Sequence, residues 1–349
     1  MDAAQTREYL LDQLRRYPLL QPEDLLKALH QSVFGPGHFV TDEAAALARL
    51  EAELAAGGFG EGPDTEPLDG PFCRVHLRTL ERTGLRAETL ARAFVLSAQR
   101  GPAGDAAALE QKLEILTALA EEGALSFSPE VLKRLVTGWR EEGFPARHHS
   151  EAFRAAYTPA YRVLRRDLAQ ALPLLAAIDR TLVEKERVVV ALEGGSASGK
   201  TTLAATLETL YGCTVFHMDD FFLQPHQRTA QRLAEPGGNV DRERFREEVL
   251  RPLKRGETVS YRRYDCHSQT LQPPVSVLPG RLTVVEGAYS MHPDLADSYD
   301  LSVFLKLSPQ LQRQRIQRRN PDLAERFFRQ WIPLEAAYFA AMDPAGRLG

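Results

Sequence analysis

The sequence predicts a chain of two folded units: a mainly α-helical domain over residues 1–180, then an α/β domain over 181–349 built on a doubly wound parallel sheet. Three observations lead there. The 349 residues exceed the roughly 250 at which a single hydrophobic core stops growing. Up to about Arg180 the apolar residues recur at helical spacing. After Glu184 the pattern changes to short β-rich runs separated by helical stretches, the alternation that a parallel sheet requires.

In the first half, helices are expected across Ala44 to Leu54, Leu85 to Ala98, Ala106 to Leu119 and Tyr161 to Ile178. The Gly/Pro-rich stretch from Gly57 to Pro71 reads as a long loop, and the apolar segment Phe72 to Leu77 as a short strand. In the second half the strand candidates are Val188 to Leu192, Cys213 to His217, Leu282 to Val285 and Leu301 to Leu307, which puts the boundary near Arg180 to Arg187.

The balance of 44% hydrophobic and 26% charged residues belongs to an ordinary globular chain and argues against a disordered or fibrous one. A net charge of -4 carries no polybasic signature, so neither nucleic acid nor membrane is expected as a partner. Cys73, Cys213 and Cys266 lie far apart in sequence, without the paired spacing of a zinc site or a disulfide framework. The N-terminal stretch lacks a signal-peptide core, and no run is long and apolar enough to span a bilayer. A reducing cytoplasm is the expected location.

The strongest chemical signal is the run Gly194, Gly195, Ser196, Ala197, Ser198, Gly199, Lys200, Thr201, which fits G-x-x-x-x-G-K-[ST] directly after the strand-like VVVALE. Small residues let backbone N–H groups curl around a β-phosphate, and the helix that follows points its positive end at the anion. Lys200 is expected to neutralise β/γ-phosphate charge and the Thr201 hydroxyl to coordinate Mg²⁺. The run Gly194 to Thr202 is thus the expected ATP-binding segment. A glycine-rich turn that only starts a helix would not explain strand, Gly-Lys-Thr and apolar helix together.

Downstream, the apolar run ending in Phe216-His217-Met218 is followed by Asp219, Asp220, Phe221 and Phe222, two carboxylates at the expected active edge of the sheet. Here the chain resembles the uridine kinase and phosphoribulokinase family of P-loop kinases, which carry an acid followed by aromatics at this place. By that resemblance Asp219 is the general base for the acceptor hydroxyl and helps hold Mg²⁺, while either acid could instead cap the following turn. The segment Asn239-Val240-Asp241 resembles the family's Asn-x-Asp, with a helix N-cap as the other reading of Asp241.

The run Tyr264-Asp265-Cys266-His267-Ser268 resembles the family's Tyr-Asp-x-x-x-His-Ser, which implies a substrate role for Tyr264, Asp265 and His267. Only one residue separates Asp265 from His267, which opens the acceptor from a nucleoside to other alcohols, and a plain surface hairpin remains an alternative. The strand-like Leu282 to Val285 ends on Glu286-Gly287, the usual place for an acid beside Mg²⁺. The resemblance makes Glu286 the second metal-associated carboxylate.

Between Gln310 and Gln330 the chain carries Arg313, Arg315, Arg318, Arg319, Arg326 and Arg329 against only Asp322 and Glu325. Guanidinium groups stabilise the charge that phosphoryl transfer spreads over the γ-phosphate. Related kinases close such a lid, so residues near 310–330 are expected to form one, with Arg315 and Arg319 sharing a helix face. Glu335 and Tyr338 read as packing.

Residues 1–180 resemble no family of known role. There His30 to His38 and Cys73-Arg74-Val75-His76 offer either a second anion or substrate pocket, or a helix-ending loop with a satisfied histidine. Adjacent His148 and His149 point in different directions and make a poor metal pair. The expected activity is transfer of the ATP γ-phosphoryl group to a hydroxyl of a small metabolite, uridine kinase-like or toward another alcohol, sugar or sugar phosphate. An ATP-sensing regulatory module is the reading from another class.

Overall fold

The computed structural model describes residues 2–36 and 42–346, and divides between Asp179 and Arg180 into two compact units. His38, singled out above, lies outside the described residues.

The first unit is mostly helical. Its helices start where the sequence supplies caps: the side chains of Asp42, Asp105 and Ser150 accept from the N–H groups of Ala45, Ala108 and Phe153, and Pro22 and Pro129 sit in first turns. Leucines at helical spacing on Pro22–Phe34 and Ala106–Glu121 meet Leu10, Trp139 and Phe153 in one buried core. Beside them lies a three-stranded antiparallel sheet, β1 (Thr65–Pro67), β2 (Phe72–His76) and β3 (Tyr161–Arg165), in that spatial order.

Two expectations are corrected here. The helix expected from Tyr161 begins only at Arg166 and runs to Glu184, because Tyr161 to Arg165 pair with β2 in the register Phe72↔Arg165 to His76↔Tyr161. Leu164, Leu168 and Leu172 share a helical spacing that hides this strand; sheet pairing, which is not local, overrides the pattern. The Gly57–Pro71 stretch likewise contains β1, whose Glu66 faces Arg74 across the ladder. Both are almost fully buried and lie 3.3 Å apart, so each neutralises a charge that would otherwise be costly to bury.

The second unit holds four parallel strands, β4 (Val188–Gly194), β5 (Thr214–His217), β8 (Leu282–Glu286) and β9 (Leu301–Leu305), in the order β5-β8-β4-β9. Between β5 and β8 in sequence stands an antiparallel hairpin, β6 (Val259–Asp265) with β7 (Thr270–Val277). Val190, Ala191, Leu192, Val284 and Val285 are fully buried, as expected where helices cover both faces of a parallel sheet. This architecture brings the carboxyl ends of β4, β5 and β8 side by side, in the register Leu192↔Glu286 and His217↔Glu286. Ligands of such folds bind at that edge. No helix among the described residues is long and apolar enough to cross a membrane.

Candidate active site

The chain leaves β4 through a tight loop and enters the helix Lys200–Tyr211. Gly194 has φ +149°, and a Cβ there would lie 2.7 Å from the Leu305 carbonyl oxygen and 2.9 Å from Ser198 Oγ, so only glycine fits. Ala197 is held in the left-handed region at φ +61°, curling successive N–H groups toward one side, the geometry of an anion nest. The Lys200 ammonium is nearly buried and donates to the carbonyls of Gly194 and Gly195 at 2.8 and 3.0 Å. With three N–H donors it can hold the loop and still face an anion. Ser198 Oγ is buried and makes no hydrogen bond among the described residues. Thr202 is exposed in the helix's first turn.

Glu286, buried at the end of β8, is the hub. Its Oε1 accepts from the Thr201 hydroxyl at 3.2 Å and lies 2.6 Å from His217 Nδ1. That contact first, then the Glu286 charge, raises the His217 pKa against the lowering effect of burial. Two residues beyond the end of β5, Asp219 is exposed to solvent. Its pKa is raised by the surrounding protein mass and then by the charge of Glu286, while Lys200 and His217 pull it down. Asp220 turns toward Arg263, 3.5 Å away, instead. Among the described residues no group of three His, Cys, Asp or Glu side chains is assembled for a metal. The oxygen donors of Thr201 and Glu286 with the nearby Asp219 nevertheless fit Mg²⁺, which keeps waters and phosphate oxygens in its shell and takes only one or two carboxylates.

Of the arginines, Arg315 lies on the helix Pro309–Arg319 and donates to the Ala197 carbonyl at 3.0 Å. Arg319 donates to the side chain of Asn320, where that helix ends. Arg326 stacks on Trp331.

On the acceptor side, Tyr264 is buried and its hydroxyl accepts from Arg228 at 2.7 Å. Asp265 accepts from the His267 N–H at 2.8 Å and the Ser268 hydroxyl at 3.0 Å. Asp265 and His267 thus sit at the exposed turn of the β6–β7 hairpin, and no hydrogen bond among the described residues ties them to Asp219. Asp241 caps the helix Arg242–Phe245 and accepts from Gln227 at 2.7 Å.

Four groups escaped the sequence reading. His217 is one; a parallel register pairing the ends of β5 and β8 would have found it. Glu193, fully buried, accepts from the N–H groups of Gly194, Tyr289 and Met291 and from the Tyr338 hydroxyl, tying the loop entrance to the segment after β8. Burial pushes its carboxyl up to about 7 against those three N–H donors. Glu335 is more than packing: it accepts from the Ser196 N–H at 2.9 Å and the Ser196 hydroxyl at 2.6 Å, while Gln312 donates to the Ser196 carbonyl at 2.9 Å.

Residues 189–328 match the model of the phosphoribulokinase / uridine kinase family. The C-terminal unit is therefore a uridine kinase/phosphoribulokinase-like P-loop domain, on a segment that covers less than half of the chain. Among individual proteins, a phosphoribulokinase from Synechocystis sp. is 28% identical over 145 residues, which is 40% of this chain and 43% of the relative. The chain thus spans under half the length of that curated relative. A possible uridine kinase from Bacillus stearothermophilus, solved as a structure, is 22% identical with a TM-score of 0.38, over 48% of this chain and 91% of that one.

Proposed function

We propose that the C-terminal unit is an ATP-dependent kinase that moves the γ-phosphoryl group to a hydroxyl of a small metabolite. The observation that carries this reading is the convergence at one sheet edge of the loop 194–201, the Thr201–Glu286 contact at 3.2 Å and the open carboxylate of Asp219. A sensor of nucleotide needs the first two but no base for an acceptor.

In this reading the N–H groups of residues 194–201 and the Lys200 ammonium hold the β- and γ-phosphates in a fixed position. Thr201, Glu286 and Asp219 would hold Mg²⁺, which when bound neutralises charge on the phosphate oxygens. Asp219 takes the proton of the acceptor hydroxyl as that oxygen attacks phosphorus. His217 keeps Glu286 oriented. Arg315, already resting on the loop, reaches the transferring group when the segment near 310–330 closes, with Arg319 one turn behind it on the same face.

The finer assignment is a uridine kinase-like transfer to a nucleoside. A specific observation favours a second acceptor class, a sugar phosphate. Arg228 donates to the Tyr264 hydroxyl at 2.7 Å, so a cation accompanies the tyrosine that the resemblance puts on the acceptor side. The test is release of ADP from ATP and Mg²⁺ across a panel of nucleosides, sugars and sugar phosphates. Acceptor-dependent release supports the kinase and names its class; acceptor-independent hydrolysis alone would favour the sensor.

A further inference from the structure

The helical unit contains a cavity of about 650 Å³, within the range that takes a small metabolite. Its wall is strongly cationic. Among the described residues, Lys27, Arg49, Arg154 and Arg162 line it with His148, against the single carboxylate of Glu53. Glu53 is shared, 3.3 Å from Arg49 and 2.8 Å from Arg162. Much of the positive charge is left unspent. Arg154 is exposed at the cavity and makes no side-chain hydrogen bond or ion pair among the described residues. Arg162 is 8% exposed, and its second terminal nitrogen has no hydrogen-bond partner among the described residues. Lys27 uses one of its three donors, on the Arg147 carbonyl at 2.8 Å.

The floor of the cavity is neutral and fixed. Burial holds His149 down at about 4, so its imidazole is uncharged near pH 7. Its Nδ1 then donates to Asp24 at 2.8 Å, and its Nε2 accepts from the Tyr161 hydroxyl at 2.6 Å. Gln31 donates its amide to the same hydroxyl at 3.3 Å. The Gln31 oxygen is in turn gripped twice by Arg74, the partner of Glu66. Each group on this chain has its donor and acceptor roles set by the next, so Tyr161, Gln31 and His149 form a rigid polar surface rather than a mobile one. Phe94 adds an apolar edge.

A cationic wall over a rigid, uncharged polar floor suits a ligand with one concentrated charge and a neutral hydroxylated body. A carboxylate would satisfy less of the wall than a dianion with several acceptor oxygens. We propose that the helical unit carries a binding site for a small phosphomonoester of sugar-phosphate size, its phosphate on Arg154, Arg162 and Lys27 and its body against Gln31 and Tyr161. The site uses no residue of the kinase-like unit and stands whether or not that unit proves to be a kinase.

The test is calorimetric titration of the full chain with ribose 5-phosphate, glucose 6-phosphate and uridine 5′-phosphate, each beside its unphosphorylated counterpart, and with inorganic phosphate. Three substitutions are compared: Arg154→Gln, Arg49→Gln and, in the other unit, Lys200→Met. At least one phosphomonoester should bind well above its neutral counterpart. Arg154→Gln should weaken it about tenfold or more without lowering the melting temperature, Arg49→Gln less, and Lys200→Met not at all. Hydrogen exchange on addition of that ester should slow within 151–165. The proposal fails if no ester binds up to millimolar concentration, if the neutral counterparts bind as well, if inorganic phosphate alone accounts for the affinity, or if Lys200→Met rather than Arg154→Gln removes it.

Discussion

The substitution Lys200→Met keeps the aliphatic stem and removes the ammonium, so it isolates the charge. In the free protein that ammonium makes two short hydrogen bonds, to the carbonyls of Gly194 and Gly195. Bonds from a charged donor contribute about 1.5–3 kcal/mol each where water is excluded. The Gly195 carbonyl is partly exposed and can recover water in the variant, whereas the Gly194 bond is buried, so a net loss of about 1–3 kcal/mol is expected. For a unit of this size about 2–4 °C of melting temperature accompanies each kcal/mol, giving a fall of roughly 2–12 °C in the C-terminal transition.

The larger effect falls on turnover. A preorganised donor aimed at developing charge contributes about 10²–10³ in kcat, and Lys200 is the only lysine in residues 194–202. Turnover should drop by about that factor, with ATP binding weakened as well. Scanning calorimetry, titration with ATP and a coupled ADP assay read the three quantities separately. Parent-level affinity together with parent-level turnover would refute the phosphate-cradle reasoning. A lowered melting temperature alone would leave Lys200 as a structural clasp of its loop.

Other predictions follow from the same geometry. Asp219→Asn should cut acceptor-dependent turnover by about 10²–10⁴, the usual worth of a general base, while ATP titration stays near the parent; undiminished turnover would remove it as the base. Because folding raises the Asp219 pKa above its ordinary 3.8, the folded chain binds more protons than the unfolded one between those values. Its contribution to stability is present below 3.8 and lost as pH rises through the raised value, so Asp219→Asn should melt higher than the parent at pH 7. The rising limb of rate against pH should lie above the ordinary carboxylate range, and His217→Asn, which removes a charge that lowers the Asp219 pKa, should move it higher still. Glu335→Gln keeps an acceptor for Ser196 but removes from the loop a negative charge that opposes phosphate, so ATP should bind several-fold tighter by titration; weaker binding would mean that Glu335 only braces the loop. In the helical unit, the Arg74 charge holds Glu66 far below its ordinary 4.5 despite burial. That stabilisation is complete above 4.5 and lost as pH falls toward the lowered value. Glu66→Gln should therefore remove about 3–5 kcal/mol at pH 7 and flatten acid unfolding of that unit below pH 4.5.

What the sequence disclosed and what it hid divide along a physical line. The cradle was legible because its chemistry is written in consecutive residues: a strand, then Gly194 where a Cβ would strike the neighbouring strand, then Lys200 and Thr201 at the start of a helix. The two central strands, β4 and β8, were legible because buried strands read as continuous apolar runs, and the half-buried edge strands β5 and β9 because they too are short β-rich segments. Glu193 and Glu335 were not. Each bonds across long stretches of chain, Glu193 to Tyr338 and Glu335 to Ser196, and in sequence each sits in an apolar stretch where an acid carries no sign of its partner.

The helical unit makes the same point more strongly, and it bears on how polar residues there should be read. Arg74 and His76 alternate with apolar neighbours on a short strand, which by itself suggests one anion-facing side. The fold instead places Glu66 opposite Arg74 and spends that arginine on Gln31. A strand one register away would leave the Arg74 charge buried without a carboxylate, at a cost of several kcal/mol, so the Glu66–Arg74 pair fixes the β1–β2 register. Fixing it also fixes Gln31, and through Gln31 the hydroxyl of Tyr161. Arg154, Arg162 and Lys27, which keep hydrogen-bonding capacity to spare at the cavity wall among the described residues, all lie outside the two segments that attracted attention in the sequence.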